Sequence, residues 1–191
     1  MKKLFFIATL SFTSFFVKAQ HVELGIKGGL NVATVHYPNS PANYDPRVSL
    51  HVGGLAHIHL TKEFAIQPEL VFSGQGFKSG NSVYRFNYLN VPVLVQYMFK
   101  SGFRLETGPQ VGFVLSANQR TNNIKTDIKD QLKSVDLSWA FGAGYILSSG
   151  FGFDARVNLG IAKVNNEIGG IKNTNGVFQF GVFYQFKALK H

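Results

Sequence analysis

Read in steps of two, residues 22–186 divide into eight segments, each with one apolar and one polar side. In 103–115 the odd positions are Phe103, Leu105, Thr107, Pro109, Val111, Phe113 and Leu115, whereas the even ones are Arg104, Glu106, Gly108, Gln110, Gly112 and Val114. Period two is the signature of a strand between two environments. The same division recurs in 22–33, 48–60, 64–77, 135–147, 151–162 and 176–186. In 84–99, Leu89, Val91, Val93, Val95, Tyr97 and Phe99 hold one side, while Tyr84, Phe86 and Tyr88 fall in the opposite phase. A bulge near Tyr88 is predicted to reconcile them. Pro68, Pro92 and Pro109 fall inside strands, each removing a ladder donor, and local bulges are expected to absorb them.

The connections alternate in length. Residues 61–63, 100–102 and 148–150 read as tight turns, while 34–47, 78–83, 116–134 and 164–175 read as longer polar loops. Short turns at one end and long loops at the other describe an all-β, eight-stranded antiparallel up-and-down transmembrane β-barrel of bacterial outer-membrane type. Segments this long can cross a bilayer when tilted. A soluble lipocalin-like ligand-binding barrel has the same strand count but keeps its apolar side inside. The polar side here is rich in glycine and amides, and its charges have both signs: Glu23, Lys27, Glu69, Arg104, Glu106, Asp154 and Arg156. That mixture makes a poor solvated surface and a good filling for a narrow lumen. Tyr84, Tyr97, Phe99, Phe103, Tyr145, Phe151, Tyr184 and Phe186 lie near segment ends, as interfacial girdles do.

The start of the chain changes the compartment. Lys2 and Lys3 precede an apolar run from Leu4 to Val17, and Val17-Lys18-Ala19 places small side chains at Val17 and Ala19, where a signal peptidase needs them. Residues 1–19 are therefore expected to be a cleaved signal peptide, with residues 20–191 forming the barrel domain. Cleavage lowers the formal charge from +9 to +6. The chain has no cysteine, which excludes disulfides, thiolate metal sites and a lipidated cysteine.

Candidate chemistry is sparse. His57 and His59 share one side of a strand with His51, a spacing that suits a metal, but no third ligand is placed and lumen hydrogen bonding is the plainer reading. Ser49, His51 and Asp136 lie toward the loop end and are the best candidate triad for a membrane-embedded hydrolase or acyltransferase; any polar rim would offer such a set. No catalytic, cofactor-binding or metal residues are assigned. In 116–134, Arg120, Lys125, Lys129 and Lys133 outnumber Asp127 and Asp130, an excess able to meet anionic lipid headgroups, although a solvated loop is the plainer reading.

The runs Gly25-Ile26-Lys27-Gly28-Gly29-Leu30-Asn31, Gln67-Pro68-Glu69-Leu70, Tyr88-Leu89-Asn90-Val91-Pro92-Val93-Leu94 and Gly108-Pro109 resemble the PorT-type outer-membrane β-barrel proteins of Bacteroidetes. The resemblance covers the whole mature chain. It implies a small porin-like barrel in the outer membrane; most members have no assigned activity and a few are linked to protein secretion or gliding. The expectation is a non-enzymatic, monomeric, cofactor-free barrel with a structural or interaction role through its loops. Its surroundings would be outer-membrane lipid and lipopolysaccharide, with a protein partner reached through the loops and no nucleic acid.

Overall fold

The computed structural model describes residues 22–36, 45–161 and 174–186. The expected signal peptide, the centres of loops 34–47 and 164–175, and Lys187–His191 lie outside the described residues. Nine strands follow in order: β1 (Val22–His36), β2 (Asp45–His59), β3 (Phe64–Ser79), β4 (Ser82–Met98), β5 (Phe103–Thr121), β6 (Ile124–Asp127), β7 (Val135–Ile146), β8 (Phe151–Gly160) and β9 (Thr174–Gln185). Every pairing is antiparallel. The spatial order β4-β3-β2-β1-β9-β8-β7-β5 is closed by a β4–β5 ladder, so eight strands form a complete ring. β6 pairs with Asn118–Thr121 of β5 and stands outside that ring. Closure pairs the backbone groups that an open sheet edge would leave bare in hydrocarbon.

The facing separates the two barrel types. Leu24, Ile26, Leu50, Val52, Leu70, Phe72, Phe141, Phe153 and Phe180 all point outward, with Leu50 68% exposed. Lys27, Glu69, Arg104, Glu106 and Arg156 point inward and are each at most 6% exposed. An apolar exterior around a charged interior inverts the plan of a soluble ligand-binding barrel, and that alternative is thereby excluded.

Three tight turns hold one end together. Thr61 Oγ1 accepts the amides of Glu63 (3.2 Å) and Phe64 (3.0 Å). Gly102 and Gly150 both adopt φ +92°, where a side chain would be strained. Their carbonyls accept Ile146 N and Gln185 N, both at 2.9 Å, so each turn also fastens the end of a neighbouring strand. Around this end the predicted aromatic girdle is present, with Phe64, Tyr97 and Phe99 in edge contact, as are Tyr184 and Phe186.

Four details differ from the expectations. Residues 78–83 do not form a long loop: β3 and β4 pair out to Ser79 and Ser82, leaving a two-residue Gly80-Asn81 turn. Gly followed by Asn between two strands is itself a hairpin signal. The 116–134 loop is partly strand, because β5 continues to Thr121 and turns through Asn122 and Asn123, both at positive φ, into β6. β4 keeps one phase throughout; Tyr84, Phe86 and Tyr88 are on the lumen side, and Tyr84 stacks on Phe77 instead of joining a girdle. The bulge lies across from it, on β5, where Asn87 pairs with Ser116 but Tyr88 with Val114, leaving Leu115 extra. Finally, the strand prolines need no bulge. The β3–β4 register is the same on both sides of Pro68, as is the β4–β5 register around Pro92 and Pro109; the ladder omits the pairs beside them.

Val111 faces outward midway along β5, between Val91 and Leu137. Val111→Arg is expected to cost about 2–4 kcal/mol in denaturant unfolding from micelles. Gln110→Glu, on the polar side, should be tolerated better. The wild type should fold and show heat-modifiable gel mobility only in micelles or bilayers; a monomer folded in plain buffer would overturn the facing. On intact cells, a cysteine at Asn122 should be labelled by an impermeant reagent and one at Ser149 should not, placing the loop end outside. Labelling at Ser149 alone would reverse the orientation.

Candidate functional site: the barrel lumen and its loop end

The alternation that sends leucine and phenylalanine outward sends six charged side chains into one short stretch of lumen. Arg156 on β8 makes a bidentate contact with Glu69 on β3, Nη1–Oε2 at 3.0 Å and Nη2–Oε1 at 2.9 Å. β3 and β8 lie four strands apart around the ring, so this pair spans the lumen. Arg156 Nε also donates to Glu106 Oε1 at 2.8 Å. Lys27 sits 2.7 Å from Asp154 Oδ2 and 3.4 Å from Glu69 Oε2. Gln67 and Gln96 donate to the remaining lone pairs of Glu69 and Glu106, both at 2.8 Å. Arg104 reaches Gln96 (3.3 Å) and Gln185 (3.4 Å) and lies over the Phe183 ring at 5.1 Å.

The counts match: Lys27, Arg104 and Arg156 against Glu69, Glu106 and Asp154. Buried charges are tolerated when paired and hydrogen-bonded, and the planar guanidinium of Arg156 serves two carboxylates at once. Glycines make the room. A Cβ at Gly142 would stand 2.7 Å from Glu106 Oε1, and one at Gly181 would stand 2.6 Å from Asp154 Oδ1. Gly144 does the same for the Arg104 stem, whose Cγ would stand 3.3 Å from a Cβ there.

Toward the loop end, an amide layer takes over. Asn31 Nδ2 donates to Ser73 Oγ (2.9 Å), while its Oδ1 meets His51 Nδ1 (2.8 Å) and Gln179 Nε2 (2.9 Å). Beyond this layer Phe77, Phe86, Tyr88, Val114, Ala117 and Ile128 form an apolar cap, with Tyr84 and Leu132 packed against it. Between them lies a void of about 10 Å³ lined by Gln75, Asn90, Gln110, Asp136, Ser138 and Asn158. That is room for about one water.

The candidate chemistry is dispersed. His57 Nδ1 pairs with Gln67 Oε1 at 3.2 Å, not with Glu69, and its ring meets His59 edge-on at 4.6 Å. Among the described residues, no group of three or more His, Asp or Glu is arranged to hold a metal. Ser49 Oγ donates to the Gly74 carbonyl, and His51 Nδ1 is engaged by Asn31. Asp136 lies beside the small void, paired in register with Gly112. Ser49, His51 and Asp136 thus form no hydrogen-bonded relay.

What sequence reasoning missed is a second cavity, of about 470 Å³, at the loop end. Arg47, Arg85, Arg120 and Lys125 line it with Asn87, Asn118 and Asn123. Arg120 and Lys125 had stood out as loop charges; Arg47 and Arg85 had not, because each is isolated in sequence. The available signal was parity: Arg85 and Asn87 continue the outward phase of Leu89 and Val91 beyond the apolar run.

Comparison with known proteins agrees with this architecture. No curated protein sequence matches the chain significantly. Among solved structures, the chain is similar to Ail, the attachment invasion locus protein of Yersinia pestis, at 16% identity and TM-score 0.54, covering 87% of this chain and 99% of Ail. It is similar to Ail in complex with the heparin analogue sucrose octasulfate at 14% identity and TM-score 0.55, with the same coverage. Neisserial surface protein A aligns at 13% identity and TM-score 0.57, covering 85% of this chain and 97% of that one. At these identities the likeness shows the fold. The family is shown by sequence: residues 18–166 match the outer membrane protein beta-barrel domain, and the chain, an outer-membrane β-barrel by fold and facing, belongs to that family.

Proposed function

We propose that this barrel is non-enzymatic and non-conducting, and that it acts by presenting its loop end to partners. The observation that carries this reading is the filled lumen. A charge-matched network crosses the lumen, and amide and aromatic layers follow it toward the loops. Solute transport would have to break several buried, hydrogen-bonded ion pairs. Catalysis would need a nucleophile joined to a base, whereas Ser49 and His51 are each committed to other partners. Projecting beyond the ring is the β5–β6 hairpin, whose β6 residues are all exposed. The PorT-type resemblance supports an accessory role in protein secretion for this end, in a barrel that is a monomer.

Planar-bilayer recordings of the purified wild type are expected to show little or no steady current; large, long-lived openings would mean an open pore. Arg156→Ala leaves Glu69 and Glu106 without their shared cation and is expected to destabilise the barrel by about 3–5 kcal/mol. The surplus of negative lumen charge should make any current it admits cation-selective. For the secretion role, replacing Thr121–Asp127 by a short Gly-Ser turn should leave heat-modifiable mobility intact and reduce secretion to the level of cells lacking the protein. Unchanged secretion with the shortened hairpin would reject that role for this end.

A further inference from the structure

The charge economy of the lumen breaks down at the loop end. Arg47, Arg85, Arg120 and Lys125 come from β2, β4, β5 and β6 to line one cavity of about 470 Å³, and among the described residues no carboxylate lines it. Among the described residues, none of the four lies within ion-pair distance of a carboxylate. The nearest acids in register are engaged otherwise or set apart: Asp127, opposite Asn118, accepts the Lys129 amide at 2.9 Å, and Asp45 stands opposite Lys78. Two guanidiniums are pinned by neutral groups that position them without neutralising them. Arg47 Nη1 donates to the Gln75 carbonyl at 2.7 Å, and Arg120 Nη2 to Asn123 Oδ1 at 3.0 Å. Each keeps several N–H donors free for another acceptor.

The cavity's position identifies the source of that acceptor. Arg85, Asn87, Asn118 and Arg120 alternate with the lumen-facing Phe86, Tyr88 and Ala117, so they point away from the lumen. On the same flank the outward positions immediately nearer the turn end are Leu89 on β4 and Phe113 and Leu115 on β5, part of the lipid-facing apolar band. The cations therefore sit just past the apolar band, at headgroup level. Tyr84, expected among the interfacial aromatics at this level, instead turns inward and stacks on Phe77. Converging guanidiniums bind phosphate through paired N–H donors, and an anion there relieves the mutual repulsion of four like charges.

We propose that this pocket binds the phosphate groups of a phosphorylated glycolipid in the outer leaflet, fixing one lipid against the β4–β5 flank. The proposal deepens the reading of the loop end as the interacting end, because it names a lipid ligand there.

The test uses the full barrel in nanodiscs containing either bisphosphorylated lipid A or the same lipid with its phosphates removed, with bound lipid counted by native mass spectrometry. The wild type should retain the phosphorylated lipid preferentially, and retention should fall as salt rises. Arg85→Gln combined with Arg120→Gln should weaken retention about tenfold, whereas the turn-end control Lys100→Gln should not. Equal retention of the two lipids, or an unaffected double variant, would overturn the proposal. A soluble arm separates the sources: inorganic phosphate should compete only at millimolar concentration or above. If free phosphate saturates the pocket while lipid A adds nothing, the lipid assignment fails. The double variant should stay electrically silent and heat-modifiable, so loss of the lipid site and failure of the closed-barrel reading give different results.

Discussion

Arg156 ties one wall of the barrel to the opposite one. Its bidentate contact with Glu69 joins β8 to β3, and its third donor holds Glu106 on β5. An eight-stranded ring has a lumen narrow enough for one long side chain to cross, which makes such a tie possible. Once Arg156 is buried there, its surroundings are constrained. Three carboxylates need three cations, the spare lone pairs need Gln67 and Gln96, and nearby strands must give up side-chain volume at Gly142 and Gly181. The lumen behaves as the polar core of the protein, packed to the standard of an interior, while the apolar residues that would fill a soluble core are left to solvate in lipid.

That inversion explains what could be read from the sequence. Strict alternation over Phe103–Leu115 or Val135–Leu147 is a statement about two environments, so strand number, closure and facing followed from it, as did the six charges that meet in the lumen. The cap at the loop end was misread because it breaks the rule that generated the rest. Tyr84, Phe86 and Tyr88 are apolar yet inward. The bulge expected near Tyr88 to reconcile the two phases does lie at Asn87/Tyr88, but its extra residue is on β5 and leaves these three facing inward. Past the hydrocarbon band, water replaces lipid outside, and an apolar side chain then belongs with Phe77 and Ile128 on the inside. The bulge, at Leu115 on β5, brings Ala117 into that cap and turns Asn118 and Arg120 outward.

The candidate site was less legible for a different reason. Hydrogen-bond partners in the lumen come from strands far apart in the chain: Asn31 and Gln179 are separated by 148 positions, Lys27 and Asp154 by 127. Alternation says that each points inward; only register says which meet. His57 shows the limit. Its inward direction was evident, but whether Gln67 or Glu69 received it depended on the β2–β3 pairing, and it is Gln67 that lies opposite.

The same distinction separates the two groups of cations. Lys27, Arg104 and Arg156 lie where dielectric screening is weak, and an unmatched charge there would carry a penalty of several kcal/mol. Every one of them has an anionic or amide partner within the lumen. Arg47, Arg85, Arg120 and Lys125 lie at the border of lipid and water, where partial screening lets unmatched charges persist. Folding alone does not require that they converge; dispersed around the rim, four cations would repel one another less. Their gathering on one flank, with Arg47 held by a backbone carbonyl and Arg120 by an asparagine rather than by acids, is therefore a feature that stability does not account for. A central lumen network that pairs its charges and a rim that concentrates cations divide the molecule into a part that maintains the fold and a part that meets something else.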